Sequence, residues 1–240
     1  VEALSVLQSK ANEIAEKFLV FGKDFDVISI QPNKLGQTVA IKSAVGEYQD
    51  LNLPVHGRYQ AENAALAVAA VEAFIGGASQ RIMDDVVRAA FADFSSPGRL
   101  QVVSREPLTI LDAAHNPHGA NSLVTALKEN FGAPYAVGVV SILAEKNAKE
   151  LLQILDDSFV EFIITQSESE RAIPAEELAK LATEIFGADR VRVQANPQWA
   201  LAEAAKLLPP AVSSAIVVTG SVTLVGQVLK LKQIEAEQDA

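Results

Sequence analysis

The chain has 240 residues, of which 49% are hydrophobic and 21% charged, the composition of a soluble globular protein. Its net charge of −10, without a visible basic patch, argues against a nucleic-acid partner, and no apolar run is long enough to cross a membrane. The absence of cysteine excludes disulfides and thiolate metal sites and fits a cytoplasmic protein.

Residues 1–96 are predicted to form helices around a small antiparallel sheet. Apolar residues at helical spacing indicate a first helix over residues 2–20 and two more over 60–74 and 79–91. Between them, short strands separated by turns are predicted at 26–31, 37–43 and 48–53. The run Ser-Ser-Pro-Gly at 95–98 breaks these patterns and marks the predicted domain boundary.

Residues 97–240 show a regular alternation of apolar strands and amphipathic helices. Strands are predicted at 108–111, 135–141, 161–166, 191–194 and 216–219, and helices begin near residues 117, 147, 174, 197 and 221. This alternation predicts an α/β domain with a Rossmann-like, mostly parallel sheet and flanking helices. Open parallel sheets bind ligands beyond the carboxyl ends of their strands, so those ends are where chemistry is expected.

Polar residues follow the first and last of these strands. Asp112 and His115 come after the strand at 108–111, where Asn116 and Pro117 open a helix, and Ser221 stands at the start of the last helix. Helix amides beside such groups suit an anionic ligand. Asp112 and Ser221 are equally typical of helix caps, and His115 equally suits an ordinary surface position, so the pattern alone leaves both interpretations open.

Asn63 and Arg99 form a second candidate group. Asn63 stands in an alanine-rich helix, where it needs a partner unless it is exposed. Arg99 directly follows the predicted boundary, where a guanidinium can reach a phosphate, although a plain surface arginine fits as well. Neither common glycine-rich phosphate loop occurs. The residues alone therefore indicate an α/β domain with an anion site at its strand ends.

Four segments, in this order, resemble motifs of the Mur ligase superfamily, in particular its folylpolyglutamate synthase/dihydrofolate synthase branch. They are His-Gly-Arg-Tyr-Gln-Ala-Glu-Asn at 56–63, Pro-Gly-Arg at 97–99, Asp-Ala-Ala-His-Asn-Pro at 112–117 and Thr-Gly-Ser-x-x-x-Val-Gly at 219–226. The third has Ala113 where the family usually has glycine. The resemblance implies that residues 97–240 are the C-terminal domain of such a ligase and residues 1–96 the rear part of its central ATPase domain.

The resemblance also implies an enzyme that uses ATP and Mg²⁺ to join L-glutamate to a folate-type carboxylate through an acyl phosphate. Asn63 would contact the adenine side of ATP, Arg99 its phosphates, and Asp112 the ribose or another part of the nucleotide. His115 and Ser221 would lie toward the glutamate. The family's phosphate loop, folate-binding segments and Mg²⁺ ligands precede the matched part, so no metal ligand is assigned in this chain.

The chain departs from the family pattern in two respects. The family's Asp-Lys-Asp segment is Glu-Lys-Asn at 145–147, so a role for Lys146 is not implied. Because the chain begins at Val1, after the family's phosphate loop, it is expected to be part of a longer protein and inactive by itself. The apolar helix over 60–74 is then expected to expose surface that drives self-association.

Two alternatives stay open. The first is a sibling Mur-type amide ligase that acts on a peptidoglycan precursor; substrate-dependent ATP turnover by a complete protein distinguishes it. The second is a non-catalytic α/β binding module, which a phosphate loop encoded upstream would argue against.

Overall fold

The computed structural model describes residues 2–15, 17–132, 135–209 and 213–238. The chain divides into two compact units, Val1–Ser95 and Ser96–Ala240, which are called the N-terminal and C-terminal units below. Within the described residues, no helix is both long and apolar enough to span a bilayer.

The N-terminal unit is a three-stranded antiparallel meander with helices. Helix α1 spans Glu2–Ile14, and the strands β1, β2 and β3, in that spatial order, span Asp26–Asn33, Gly36–Lys42 and Glu47–Leu53. Helices α2 and α3 span Arg58–Gly76 and Asp84–Ala92. The meander predicted from the sequence is thus present with small shifts in its strand ends.

Helix α2 packs on the meander through its small residues. Ala61, Ala65 and Ala69 are buried in one apolar cluster with Ile41 and Leu51 of the strands. Alanine has no side chain beyond Cβ, so a helix that presents alanines can approach a sheet closely and still fill the space between them. Gly77, in the left-handed conformation at φ 57°, ends the helix.

Two helices of this unit are shorter than predicted. The first ends at Ile14 rather than residue 20, because the chain turns to pack Leu19 against the core and the amide of Val20 donates to Asp24 at 2.8 Å. The third begins at Asp84 rather than residue 79, because the Tyr48 hydroxyl accepts from the amide of Ile82 at 2.9 Å. That bond holds the preceding segment against the sheet in a non-helical conformation.

The C-terminal unit contains a six-stranded sheet in the order β4-β5-β9-β6-β7-β8. These strands span, in chain order, Gln101–Arg105, Leu108–Leu111, Tyr135–Val140, Glu161–Ile164, Val191–Val193 and Ser214–Thr219. Strands β5 to β9 pair in parallel, and β4 pairs antiparallel with β5 at the edge. The α/β class and the mostly parallel sheet are confirmed, whereas β4 was not predicted.

Helices cover this sheet on both faces. They are α4 Pro117–Ala126, which continues as a π-helical turn over Leu127–Phe131, α5 Ala148–Leu155, α6 Ala175–Phe186, α7 Pro197–Leu207 and α8 Val222–Gln238. Residues of α7 and α8 share one buried cluster with alternate residues of the strands, such as Val137 and Val139. Successive strand residues point to opposite faces, so α4, α5 and α6, which pack on one another in sequence, lie on the other face.

The strand order creates a switch point beside β9. The chain leaves β5 through α4 and enters β6, which is not adjacent to β5 in the sheet. After β8 it returns through α7 and forms β9 in the position between β5 and β6. Because α4 follows β5 on one face and α8 follows β9 on the other, the two helices diverge from the carboxyl ends of these neighbouring strands. Doubly wound sheets bind ligands at such points.

Candidate functional site

The loops after β5 and β9 meet at the carboxyl edge of the sheet. The carbonyl of Ala114, in the first loop, accepts from the amide of Gly220, in the second, at 3.0 Å. Gly220 has φ 95°, and an added Cβ would lie 2.7 Å from the carbonyl oxygen of Ser141 at the end of β6. The structure therefore brings Asp112, His115 and Ser221 to one edge, as their positions after the strands predict.

Asp112 is buried and binds main-chain amides on both sides of itself. One carboxylate oxygen accepts from the amide of Leu100 at 2.9 Å, and the other accepts from the amide of Ala114 at 2.9 Å. Its side chain is 6% exposed. Asp112 thus ties the turn that precedes β4 to the loop that follows β5, whichever further group it contacts.

Arg99 projects from this tied turn. Gly98 and Leu100 on either side of it are buried with positive φ of 70° and 46°, whereas Arg99 itself is exposed. The carbonyl of Gly98 accepts from the amide of Ala113 at 2.7 Å, so the turn lies directly against the loop after β5. The turn therefore buries its backbone and directs its guanidinium outward.

Arg99 differs from the other arginines of the described residues. Six of them form ion pairs with carboxylates: Arg58, Arg81, Arg88, Arg171, Arg190 and Arg192. No described residue forms an ion pair or hydrogen bond with the Arg99 guanidinium. In a chain of net charge −10, an arginine without an acidic partner beside a strand end is suited to an anionic ligand.

His115 has a defined tautomer when neutral. Its Nδ1 lies 2.8 Å from the carbonyl oxygen of Ala113, which can only accept, so Nδ1 carries the proton. The lone pair of the neutral ring is then at Nε2, and the side chain is half-buried. His115 can therefore accept a hydrogen bond from an ammonium or amine group at this edge.

The two helices at this edge begin at residues with different exposure. Asn116, which is exposed, caps α4 by accepting from the amide of Gly119 at 2.8 Å, with Pro117 in the first helical position. Ser221 is fully buried, and its hydroxyl accepts from the amide of Thr223 at 3.1 Å at the start of α8. Ser221 acts as a helix cap, and a direct ligand contact would require its hydroxyl to become accessible.

Asn63 belongs to the N-terminal unit and is exposed on α2. The N-cap residue of the same helix is Gly57, which has φ 93° and provides no side-chain cap. The carbonyl of Gly57 accepts from the Gln37 side chain at 2.9 Å, while Gln37 Oε1 and Gln60 Nε2 are buried without a hydrogen-bond partner in the described residues. Gln60 thus has an unsatisfied polar group three residues before Asn63 on α2, and no local signal in the sequence indicates Gln37.

The described residues contain no group of three or more histidine and carboxylate side chains suited to a metal ion. Lys146 is half-buried, and its backbone amide donates to Leu143 at 3.0 Å in the loop after β6. Glu145 beside it pairs with Arg171 at 2.8 Å. The loop of the Glu-Lys-Asn segment is thus structured, and no contact assigns its lysine a function.

The chain is similar to proteins of a known family. Residues 98–222 match the family described as Mur ligase, glutamate ligase domain. The chain is 40% identical over 215 residues to the dihydrofolate synthase/folylpolyglutamate synthase of Mycobacterium tuberculosis, a match that covers 85% of this chain and 44% of that protein. It is 30% identical over 174 residues to the folylpolyglutamate synthase of Lacticaseibacillus casei, covering 72% of this chain and 40% of that protein.

A solved structure shares the fold over nearly the whole chain. Mycobacterium tuberculosis folylpolyglutamate synthase complexed with ADP superposes with a TM-score of 0.89 at 38% identity, over 95% of this chain and 52% of that one. The chain therefore spans about half the length of the relatives it matches.

Proposed function

Because the chain belongs to the Mur ligase family, through its glutamate ligase domain, we propose that it is the rear part of an ATP-dependent ligase that adds L-glutamate to a folate carboxylate. The observation that carries this proposal is Arg99, unpaired among the described residues, on its buried turn against the loop of Asp112 and His115 at the switch point. The related M. tuberculosis enzyme, with the same fold at 38% identity, was solved with ADP, the product that such a reaction leaves.

Arg99 is proposed to bind the phosphates of ATP. Transfer of a phosphoryl group depends on positioning and on neutralising the charge that spreads over the phosphate oxygens. A guanidinium donates up to five hydrogen bonds in a fixed plane and keeps its charge at every physiological pH. Held on a turn whose neighbouring residues are buried, it needs little reordering to meet the nucleotide.

His115 is proposed to receive the α-amino group of glutamate. With Nδ1 bound to the carbonyl of Ala113, neutral His115 presents Nε2 as an acceptor. Such an acceptor can orient the amine and take up a proton that the amine loses as it forms the amide bond. ATP supplies the chemistry by phosphorylating the folate carboxylate, and the amine displaces phosphate from the resulting acyl phosphate.

The remaining site residues are proposed to support the nucleotide and the glutamate. Asp112 is proposed to face the nucleotide while its oxygens hold the two loop amides, and Ser221 to support the glutamate end by capping α8. Asn63 is proposed to contact the adenine side of ATP, supported by its exposure and by the uncapped start of α2 nearby.

Magnesium is part of the proposed reaction but no step is assigned to it in this chain. The described residues lack a cluster of carboxylates or histidines suited to a metal ion. The ligands would have to come from the part of the ligase that the match leaves uncovered. The cytoplasm is the proposed compartment, because the reaction requires a supply of ATP.

The test uses a joined protein, in which this chain replaces the matched part of the M. tuberculosis relative. ADP release is measured with L-glutamate and, in separate reactions, dihydropteroate, tetrahydrofolate or a peptidoglycan precursor. The proposal predicts release that needs both glutamate and a folate-type substrate. Because the folate-binding segments of the joined protein come from the relative, the sibling amide ligase is tested with a longer protein that contains this chain and its own preceding part, in which release would require the peptidoglycan precursor.

A matched pair of variants tests whether ADP release depends on Arg99. Arg99→Ala is expected to raise KM for ATP or lower kcat by at least about tenfold, the effect of a lost charge-assisted bond of roughly 1.5–3 kcal/mol. Arg171→Ala removes an exposed arginine that already pairs with Glu145 and should leave both constants unchanged. Equal constants for Arg99→Ala and the parent protein would exclude Arg99 as a phosphate ligand.

A further inference from the structure

Gln101 is the first residue of β4 and binds the turn that carries Arg99. Its side-chain Oε1 accepts from the main-chain amide of Gly98 at 2.8 Å. Its backbone pairs with Leu111 on β5, so the residue is anchored in the sheet itself. The amide that it holds belongs to the residue directly before Arg99.

The turn is fixed from four directions. The amide of Gly98 is held by Gln101, the amide of Leu100 by Asp112, and the carbonyl of Gly98 by the amide of Ala113. In addition, Val225 of α8 packs against the turn so closely that a Cβ on Gly98 would lie 2.6 Å from Cγ1 of Val225.

One residue of the turn has a strained backbone conformation. Leu100 has φ 46°, a conformation that costs a non-glycine residue on the order of 1 kcal/mol and persists only where neighbouring bonds impose it. Gln101 therefore helps to maintain a backbone that would otherwise relax. Relaxation at Gly98 or Leu100 would change the direction of the side chain between them, which is Arg99.

From these contacts we propose that Gln101 is a positioning residue, which fixes the direction of the Arg99 guanidinium toward the phosphates of ATP. The proposal rests on the proposed function of Arg99. It assigns Gln101 no contact with the nucleotide: its carbonyl oxygen acts on the backbone, and the backbone orients the arginine. A residue with only a structural role would lower stability without any dependence on Arg99.

The first experiment needs no ligase activity and uses the 240-residue chain. Amide hydrogen exchange at Gly98 is measured in the parent chain, in Gln101→Met and in Gln101→Glu. Methionine keeps the length of the side chain but has no comparable acceptor, so Gly98 should exchange about three- to tenfold faster, the effect of losing one hydrogen bond of roughly 1 kcal/mol. Glutamate keeps an oxygen acceptor and should restore the parent rate.

The second experiment is a double-mutant cycle in the joined protein. Gln101→Met should raise KM for ATP by about three- to tenfold, corresponding to one hydrogen bond of roughly 1 kcal/mol. Because the effect is transmitted through the arginine, Gln101→Met should cause no further change in the Arg99→Ala background. Gln153→Met makes the same change at an exposed position on α5, where no described side-chain bond is lost, and should leave KM unchanged.

The outcomes separate the positioning role from the proposed function. Unchanged exchange at Gly98 in Gln101→Met overturns the positioning role, and so does an equal effect on KM with and without Arg99. If Arg99→Ala alone leaves ATP turnover unaltered, the proposed function of Arg99 fails and the positioning role fails with it. The proposal is supported if Gly98 exchanges faster in Gln101→Met and if Gln101→Met raises KM for ATP only when Arg99 is present.

Discussion

The two units of this chain cover their apolar surface to different degrees. In the C-terminal unit, Val137 and Val139 on the central strand β6 are fully buried, because helices lie on both faces of the sheet. In the N-terminal unit, α2 buries one side on the meander, and Phe74 and Ile75 on its outer side are 92% and 69% exposed. Leu66 and Val71 on the same helix are exposed as well.

This difference bears on where the candidate site is preformed. The loops of the C-terminal unit hold one another through the amide bonds of Asp112 and the contact between Ala114 and Gly220. The N-terminal unit instead exposes apolar side chains on the outer face of α2. We infer that the C-terminal unit is stable and ordered by itself, and that the N-terminal unit is the weaker of the two.

The largest effect is expected from the core of the C-terminal unit. Phe162 on β7 is fully buried and stacks on Phe186 with ring centroids 3.8 Å apart. Phe162→Ala should lower the free energy of unfolding of this unit by about 3–5 kcal/mol, through lost burial and the cavity left behind. Trp199, the single tryptophan, lies in this unit, so its fluorescence during denaturant unfolding measures the loss.

The matched control removes the same side chain from the exposed helix face. Phe74→Ala should change the unfolding free energy of either unit by less than about 0.5 kcal/mol. A loss of similar size in both variants would contradict the difference in coverage between the units.

A smaller effect is expected from the buried polar pair of the N-terminal unit. The Tyr48 hydroxyl donates to Glu72 at 2.6 Å, and both side chains are buried. Tyr48→Phe leaves the carboxylate without this donor and should destabilise the unit by about 1–3 kcal/mol, measured by amide hydrogen exchange across β2 and β3. Tyr135→Phe, whose hydroxyl bonds Glu161 at 3.3 Å in a half-buried position, should cost less.

The same tyrosine makes the N-terminal unit sensitive to alkaline pH. Burial, followed by its hydrogen bond to Glu72, raises the pKa of Tyr48 from 10.0 to about 12. A raised pKa means that the folded state favours the neutral phenol, so this contribution to stability is complete below pH 10 and is lost between pH 10 and 12. The stability difference between the parent chain and Tyr48→Phe should therefore shrink across that range; a constant or growing difference would contradict the assignment.

The smallest effect on stability, but a distinct one on assembly, is expected at the exposed face of α2. We predict that the chain self-associates through this face, because Phe74 and Ile75 present apolar surface. Phe74→Glu should weaken association about tenfold or more, measured by sedimentation velocity over a range of concentrations. Trp199→Glu alters an exposed aromatic residue of the other unit and should leave association unchanged.

Much of the fold follows from local pattern, and the exceptions share a cause. The alternation after residue 98 predicted five strands and their helices because all of the strands except the short β8 are rich in apolar residues, and each lies beside a clear helix start. Strand β4 was missed because it is a five-residue edge strand with only partly buried side chains. The predicted helix over 79–91 began too early because the bond from Tyr48 to Ile82 joins residues far apart in the chain.

In the candidate site, too, the residues that local pattern marks could be predicted, and those that act through contacts with other elements could not. Asp112, His115 and Ser221 could be selected because a strand end and a helix start are visible in the sequence. Gln37 and Gln101 could not, since each acts through a hydrogen bond to a backbone group in another element. That Arg99 has no carboxylate partner in the part of the chain that the structure describes is likewise visible only in the folded protein.

Glutamate-dependent ADP release shows whether this chain can complete a folate glutamate ligase, and it is measured side by side for the 240-residue chain and for the joined protein. We predict no release above background from the chain alone, and release by the joined protein that requires both a folate-type substrate and L-glutamate. Glutamate-dependent release from the chain alone, or a folded joined protein that releases none with any folate, would contradict the claim that this chain is the rear part of a folate glutamate ligase.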